Sequence, residues 1–168
     1  MLKKLRDALR DFADSLVPSP ETLARREAAA LQQACCQLLL EVARLEAVNA
    51  DQKRDVVASV MREEFGMPEA ELAAAIDTAA RPENRPTSYF DPVKLINAHF
   101  DAPRKAGFIE QLWRVAMVDG DIDMYEDHLV RKLADLLYVS HNDFILAKNR
   151  VRALVASRID LPAGAGLS

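Results

Sequence analysis

The chain has 168 residues, enough for one domain that buries roughly 70% of its unfolded-chain surface without disulfides or metal. Half of the residues are hydrophobic and 29% are charged, which is typical of a globular protein, and the scarcity of glycine, with five residues, favours helix over sheet. The net charge of −4 argues against a nonspecific nucleic-acid-binding protein, which needs a basic face, so we expect no nucleic-acid partner.

An amphipathic helix is predicted over residues 1–17, before Pro18 and Pro20. Its apolar residues recur at intervals of three and four and form one stripe: Leu2, Leu5, Leu9, Phe12 and Leu16. Basic residues flank the stripe, so peripheral contact with an anionic membrane surface is one interpretation: Lys3, Lys4, Arg6 and Arg10. The interleaved aspartates exclude a signal peptide and favour docking on the chain's own domain or on a partner protomer in a homodimer: Asp7, Asp11 and Asp14.

A helical domain is predicted over residues 21–158, followed by a flexible tail at 159–168. Its predicted helices cover residues 21–47, 50–65, a segment starting near Pro68, 90–100, 104–118, 124–138 and 141–157. Gly66 is expected to end the second of these in the left-handed conformation, and the longest loop is expected at 80–90. Since no alternating β-branched segment occurs, we predict an all-α, single-domain bundle of about seven or eight helices.

The predicted domain also contains an internal repeat. A shift of about 73 residues aligns one half with the other, placing Leu39 on Leu112 and Val57 on Val130. Two similar helical halves are therefore expected to share one core. The halves differ at one turn, where EAVNADQK in the first half aligns with DGDIDMYE in the second.

That second turn concentrates carboxylates within residues 117–127. They are Asp119, Asp121, Asp123, Glu126 and Asp127. A structural interpretation accounts for them without an ion, because Asp123 and Glu126 have the spacing of a capping box and Gly120 relieves the turn. The alternative is a divalent-cation site for calcium or magnesium, since hard cations prefer oxygen ligands.

The turn is not an EF-hand. Asp119, Asp121 and Asp123 have the spacing that opens such a loop, but Met124 stands where the loop needs glycine and Val130 where it needs a bidentate glutamate. Any cation site is therefore a looser cluster drawn from the same five carboxylates. No other cofactor is expected.

The remaining chemically reactive residues do not form a recognisable catalytic arrangement. Cys35 and Cys36 are adjacent on a predicted helix, where they cannot easily pair with each other, and this favours a reducing, cytoplasmic location. We expect both to be buried as small hydrophobic residues, and Trp113 to anchor the core. His128 is expected to be an exposed helix residue. A metal-dependent enzyme that uses Asp119, Asp123, Glu126 and His128 is the least favoured alternative.

Two segments carry a family resemblance: VARLEAVNADQK and RVAMVDGDIDMYEDHLVRKLADLLYVSHNDFILAK. The second segment includes the turn Val118–Glu126, which has the pattern Val-Asp-Gly-x-Ile-Asp-x-x-Glu. The two segments resemble the TerB-like tellurite-resistance family, in particular its stand-alone bacterial members. The resemblance covers roughly residues 25–157. In the first half Glu46 and Ala47 replace the Asp-Gly pair, which departs from the family pattern.

The resemblance implies an all-helical fold of two similar halves, a cytoplasmic location and an association with tellurite resistance and stress response. It also implies action through acidic surface residues in metal-linked or protein-partner complexes, without an established catalytic activity. The corresponding acidic residues here are Asp119, Asp123 and Glu126. We therefore expect a non-enzymatic module that binds a protein partner, with a divalent-cation site at the acidic turn as a possible addition. The alternatives are a membrane-surface adaptor acting through residues 1–17 and, least favoured, a metal-dependent enzyme.

Overall fold

The computed structural model describes residues 1–159, which contain eight α-helices, one short 3-10 turn and no strand. This confirms the all-α prediction. Of the tail predicted at 159–168, Ile159 is the last residue of α8 and residues 160–168 lie outside the described residues. The elements are α1 Leu2–Leu16, α2 Pro20–Ala43, α3 Ala50–Phe65, α4 Glu69–Ala80, the 3-10 turn Pro82–Asn84, α5 Phe90–His99, α6 Ala102–Ala116, α7 Met124–Leu136 and α8 His141–Ile159.

The chain forms two compact units, residues 1–30 and the residues from Leu31 onward. In the first unit α1 covers Leu2–Leu16, one residue shorter at each end than predicted, and none of its residues is buried. Docking of this stripe on the chain's own domain or on a partner protomer stays a prediction. Leu2 is 84% exposed and Phe12 is 63% exposed.

The second unit has a continuous hydrophobic core in which α6 packs against α3, α7 and α8. The C-terminal half of α2 is buried on nearly all sides, which explains why its sequence is apolar with little periodicity. Trp113 on α6 is fully buried, and its ring lies 5.6 Å from that of Phe144 on α8. This confirms the expected role of Trp113 as a core anchor.

The helix ends follow local chemistry, with some differences from the prediction. Gly66 ends α3 at φ 60°, as expected for a glycine in the left-handed conformation. Helix α6 begins at Ala102, before the predicted residue 104, because the Asp101 side chain caps it by accepting from the Arg104 N–H. Tyr138, at φ 58°, occupies the left-handed position after α7, which the sequence did not predict. Within residues 1–159 no helix is long and apolar enough to cross a bilayer.

Candidate functional site

The acidic turn between α6 and α7 is closed by a capping box. Asp123 is the N-cap of α7, and its carboxylate accepts the Glu126 N–H at 2.8 Å. The Glu126 carboxylate in turn accepts the Asp123 N–H at 3.4 Å. Gly120 precedes them at φ 89°, a conformation that glycine adopts without strain. Both structural roles predicted for the turn are confirmed.

Glu126 forms a buried ion pair with Lys53 of α3, and both side chains are fully inaccessible to solvent. The Lys53 ammonium also donates to the Glu46 carboxylate at 2.9 Å, in the turn between α2 and α3. Two carboxylates from different parts of the chain thus share one buried cation. The turn after α2 and the turn before α7 are held together by this charge-assisted contact.

The pKa values of the pair follow from burial and mutual attraction. Burial lowers the pKa of Lys53, but its hydrogen bonds to Glu126 and Glu46 outweigh burial and leave the pKa above its ordinary value. Burial raises the pKa of Glu126, and the neighbouring Lys53 ammonium offsets only part of that rise. The charged form of each residue in this buried pair therefore depends on the opposite charge of the other.

A second contact joins the same two turns. Asn49, just before α3, donates from its side-chain amide to the Asp119 carboxylate at 2.9 Å. The other Asp119 oxygen accepts the Asp121 N–H at 3.2 Å. The Asp119 carboxylate therefore has a defined orientation although the residue is exposed, whereas Asp121 is an exposed residue at the edge of the turn.

Asp127 faces away from this pair, toward α8. Its carboxylate accepts from the Lys148 ammonium at 2.5 Å and from the Arg131 guanidinium at 3.4 Å. Partial burial raises the pKa of Asp127, but the two cations outweigh it and hold the pKa below its ordinary value. Asp127 therefore helps to fix α8 against α7.

The five predicted site residues thus divide into two groups. Asp119, Asp121 and Asp123 lie on the turn with some exposure, while Glu126 and Asp127 are paired with lysines. Among the described residues, no three His, Cys, Asp or Glu side chains are grouped closely enough to hold a metal ion. Cation binding at this turn stays a prediction.

Sequence reasoning missed Lys53, the partner that decides where Glu126 lies. A signal was present, because Lys53 precedes the buried residues Val57 and Val60 at helical spacing and so lies on the inner face of α3. Lys53 and Glu126 are also 73 residues apart, the same shift that aligns the two predicted halves. If the chain consists of two related halves, Lys53 and Glu126 occupy equivalent positions that face each other. The repeat itself stays a prediction.

Exposed apolar side chains lie next to the contacts that join the two turns. Val48, beside Asn49, is 85% exposed, and Leu45 is 39% exposed. On the other turn Met124 is 74% exposed and Tyr125 is 67% exposed. We call these four residues, together with the exposed carboxylates Asp119 and Asp121, the two-turn surface. It combines apolar area with negative charge.

The residues that would suggest an enzymatic function have other roles in the structure. Cys35 and Cys36 are buried free thiols, as predicted. Burial raises the pKa of both and brings that of Cys36 to about 12, so neither is a ready nucleophile. His128 is exposed on α7, also as predicted, while Glu126 of the hypothetical metal-dependent enzyme is inaccessible to substrate.

A separate cavity of about 490 Å³ lies in the second unit and was not foreseen. One wall is the buried Glu41, which accepts from Arg85 at 3.0 Å and also pairs with Arg44. Lys132 lies over the Tyr89 ring, with 5.4 Å between the ammonium and the ring centroid. The buried acid of this cavity is already paired with two arginines, so Glu41 is not a free charge.

The family comparison agrees with this architecture. The model for the family described as tellurite resistance protein TerB matches residues 32–149, well over half of the chain and all within the second unit. The match includes the acidic turn, Lys53 and the whole two-turn surface. No curated protein and no solved structure matches the chain.

Proposed function

Because the chain belongs to the TerB tellurite-resistance family, we propose that it is a non-enzymatic, stress-response module that binds a protein partner through the two-turn surface. The observation that carries this proposal is that both of the joined turns expose apolar side chains beside the acidic residues: Leu45, Val48, Met124 and Tyr125. Exposed apolar groups next to an ordered polar rim are typical of protein-interaction sites.

The chemistry of the two-turn surface favours a partner segment that is both basic and apolar. Asp119 and Asp121 present negative charge to solvent, and Asn49 orients the first of them. Opposite charge steers the encounter and sets the orientation, while Tyr125 and Val48 supply apolar area to bury. The buried Lys53–Glu126 pair holds both turns in place before a partner arrives, which reduces the ordering cost of binding.

Three further observations support the non-enzymatic, cytoplasmic part of the proposal. Glu126 is inaccessible, and the raised pKa values of Cys35 and Cys36 keep both thiols protonated. Buried, unpaired thiols also suit a reducing compartment.

We expect the substitutions Val48→Ser and Tyr125→Ser together to lower partner affinity at least about tenfold, since aromatic anchors carry much of the energy of an interface. The matched control is Phe90→Ser with Leu146→Ser, which removes exposed apolar side chains elsewhere in the same unit. Proteins captured from host extract are compared across these variants, and the affinity of the purified partner is then measured by calorimetry.

The charged part of the surface has its own test. Asp119→Asn with Asp121→Asn should weaken the same interaction, and the difference from wild type should shrink at high salt because screening removes the contribution of exposed charges. A captured protein that binds the control pair and both two-turn variants equally would contradict the proposal, and so would finding no protein that distinguishes them.

A second candidate function is divalent-cation binding by Asp119, Asp121 and Asp123, whose carboxylates would have to draw closer together around the ion than they lie in the described structure. It is favoured by the defined orientation of the Asp119 carboxylate, whereas Glu126 and Asp127 are already occupied by lysines. All-oxygen ligands suit calcium or magnesium. Such an ion would also neutralise part of the negative charge of the two-turn surface and so modulate partner binding.

For this candidate we expect calcium or magnesium to shift the NMR signals of residues 117–127 in wild type but not in Asp119→Asn/Asp123→Asn. Asparagine is a good N-cap, so the double substitution removes two charges and keeps the start of α7. Absence of a shift in wild type, or equal shifts in the variant, would exclude a cation at the turn.

A further inference from the structure

The first unit has a surface that the partner-binding proposal does not use. Helix α1 exposes its whole apolar stripe, with Leu5 and Leu9 each 59% exposed and Leu16 68% exposed. The stripe is narrow, because at about 100° per residue its five members span only about 80° of the helix circumference. An uncovered stripe on an otherwise charged helix indicates a missing apolar environment.

The charges on α1 are sorted around this stripe. Arg6 lies about 80° from its middle on one side, and Lys4 lies about 120° away on the other. Arg10 is also about 120° away, on the same side as Arg6, with Lys3 a little farther round. The three aspartates lie on the far side, about 140–180° from the middle of the stripe: Asp7, Asp11 and Asp14.

This distribution matches the surface of an anionic bilayer. When the stripe of α1 enters the boundary between headgroups and acyl chains, flanking Arg and Lys side chains lie at headgroup level and extend their charges to lipid phosphates. The aspartates then point into water, away from the lipid. Their interleaving in the sequence favoured docking on protein, but on the helix all three lie on the side away from the stripe, and Lys3 is the one basic residue at a comparable angle.

We propose that α1 lies flat on a membrane that contains anionic lipids and holds the TerB-family unit at that surface. A second copy of the chain fits α1 less well. The stripe covers only about two heptads, where a stable coiled coil takes three or four. The positions that would flank its seam are Arg6, Ala8, Ala13 and Ser15, which offer no opposite charges to pair between two helices.

The proposal is tested with the full chain and vesicles of phosphatidylcholine, with and without phosphatidylglycerol. We expect binding to the anionic vesicles, measured by co-flotation, and much weaker binding to neutral ones. Leu5→Ser with Leu9→Ser should reduce anionic-vesicle binding at least about tenfold, because two side chains lose the favourable transfer from water. No residue of α1 is buried, so this pair should leave the far-UV spectrum and thermal midpoint unchanged.

A matched control isolates the arrangement of charge. Exchanging neighbours, Arg6→Asp with Asp7→Arg, keeps composition, net charge and the apolar stripe but places a carboxylate beside the lipid. This exchange should weaken binding to anionic vesicles, whereas Asp7→Asn alone should not. Equal binding by the exchanged variant, or no flotation of wild type, would overturn the proposal.

Sedimentation velocity of the same proteins tests the rival occupant. A wild-type dimer that becomes monomeric in Leu5→Ser/Leu9→Ser, without vesicle binding, would assign the stripe to a second copy and overturn the membrane proposal. Partner capture through the two-turn surface should be unaffected by the α1 variants, so failure of one proposal is distinguishable from failure of the other.

Discussion

Replacing Lys53 by methionine should lower the free energy of unfolding by about 3–5 kcal/mol, because it leaves Glu126 buried without its counter-charge. Glu46 loses a hydrogen bond at the same time. The measurement is urea denaturation followed by far-UV circular dichroism at pH 7. The adjacent Arg54→Met is the matched control, since Arg54 pairs with Asp77 at the surface and its loss should cost under about 1 kcal/mol.

A double substitution identifies the cause of that loss. Glu126→Gln removes the buried charge but keeps a side chain able to complete the capping box with Asp123. Lys53→Met with Glu126→Gln should therefore recover much of the stability lost in Lys53→Met. If Lys53→Met were as stable as Arg54→Met, or if the double variant were no better than the single one, the buried pair would not be what joins the two turns.

The same pair predicts a dependence on pH. The pKa of Lys53 is raised in the folded state, so its contribution is fully present below its unfolded value of 10.5 and is lost as the pH rises through the folded value. Alkaline destabilisation should accordingly be shallower in Lys53→Met than in wild type. In that variant Glu126 holds a proton more tightly when folded, so its stability deficit should be smaller at pH 5 than at pH 8.

Replacing Trp113 by alanine should cost about 3–5 kcal/mol of unfolding free energy, as expected for removing a fully buried indole. Its ring packs against Phe144, and the Lys148 ammonium lies 4.9 Å from the ring centroid. The substitution therefore loosens α8 from α6, the most extensive helix contact in the second unit. Because the chain has one tryptophan, unfolding is followed by circular dichroism rather than by fluorescence.

Two controls accompany this measurement. Tyr125→Ala removes an aromatic ring that is 67% exposed and should change stability by less than about 0.5 kcal/mol. Trp113→Phe should cost less than alanine, since it leaves a smaller void and removes an indole N–H that has no acceptor among the described residues. Equal losses for Trp113→Ala and Tyr125→Ala would contradict the assigned core.

Local patterns predicted the helices well because their signals are local. The spacing of Leu2, Leu5 and Leu9 predicted α1 to within one residue at each end, and Gly66 predicted the end of α3. The capping box at Asp123 was also readable, since both partners lie within one helical turn. Helix α6 starts two residues before the predicted residue 104, because Asp101 caps it.

The candidate site was only partly predictable. Five carboxylates in one short stretch identified the acidic turn, but their proximity in sequence did not reveal which of them face solvent. Glu126 enters the core because Lys53, 73 residues earlier, meets it there, and Asp127 turns to Lys148 on α8. The two-turn surface likewise depends on Asn49 reaching Asp119 across the fold.

The amino-acid sequence by itself determined the all-α class, the approximate position of most helices, the amphipathic character of α1 and the acidic composition of one turn, because each depends on residues a few positions apart. The tertiary structure alone decided which charges are neutralised inside and which remain outside. Desolvation penalises a buried charge that has no partner. A buried lysine and carboxylates from two distant turns can therefore pair only where helix packing brings them together.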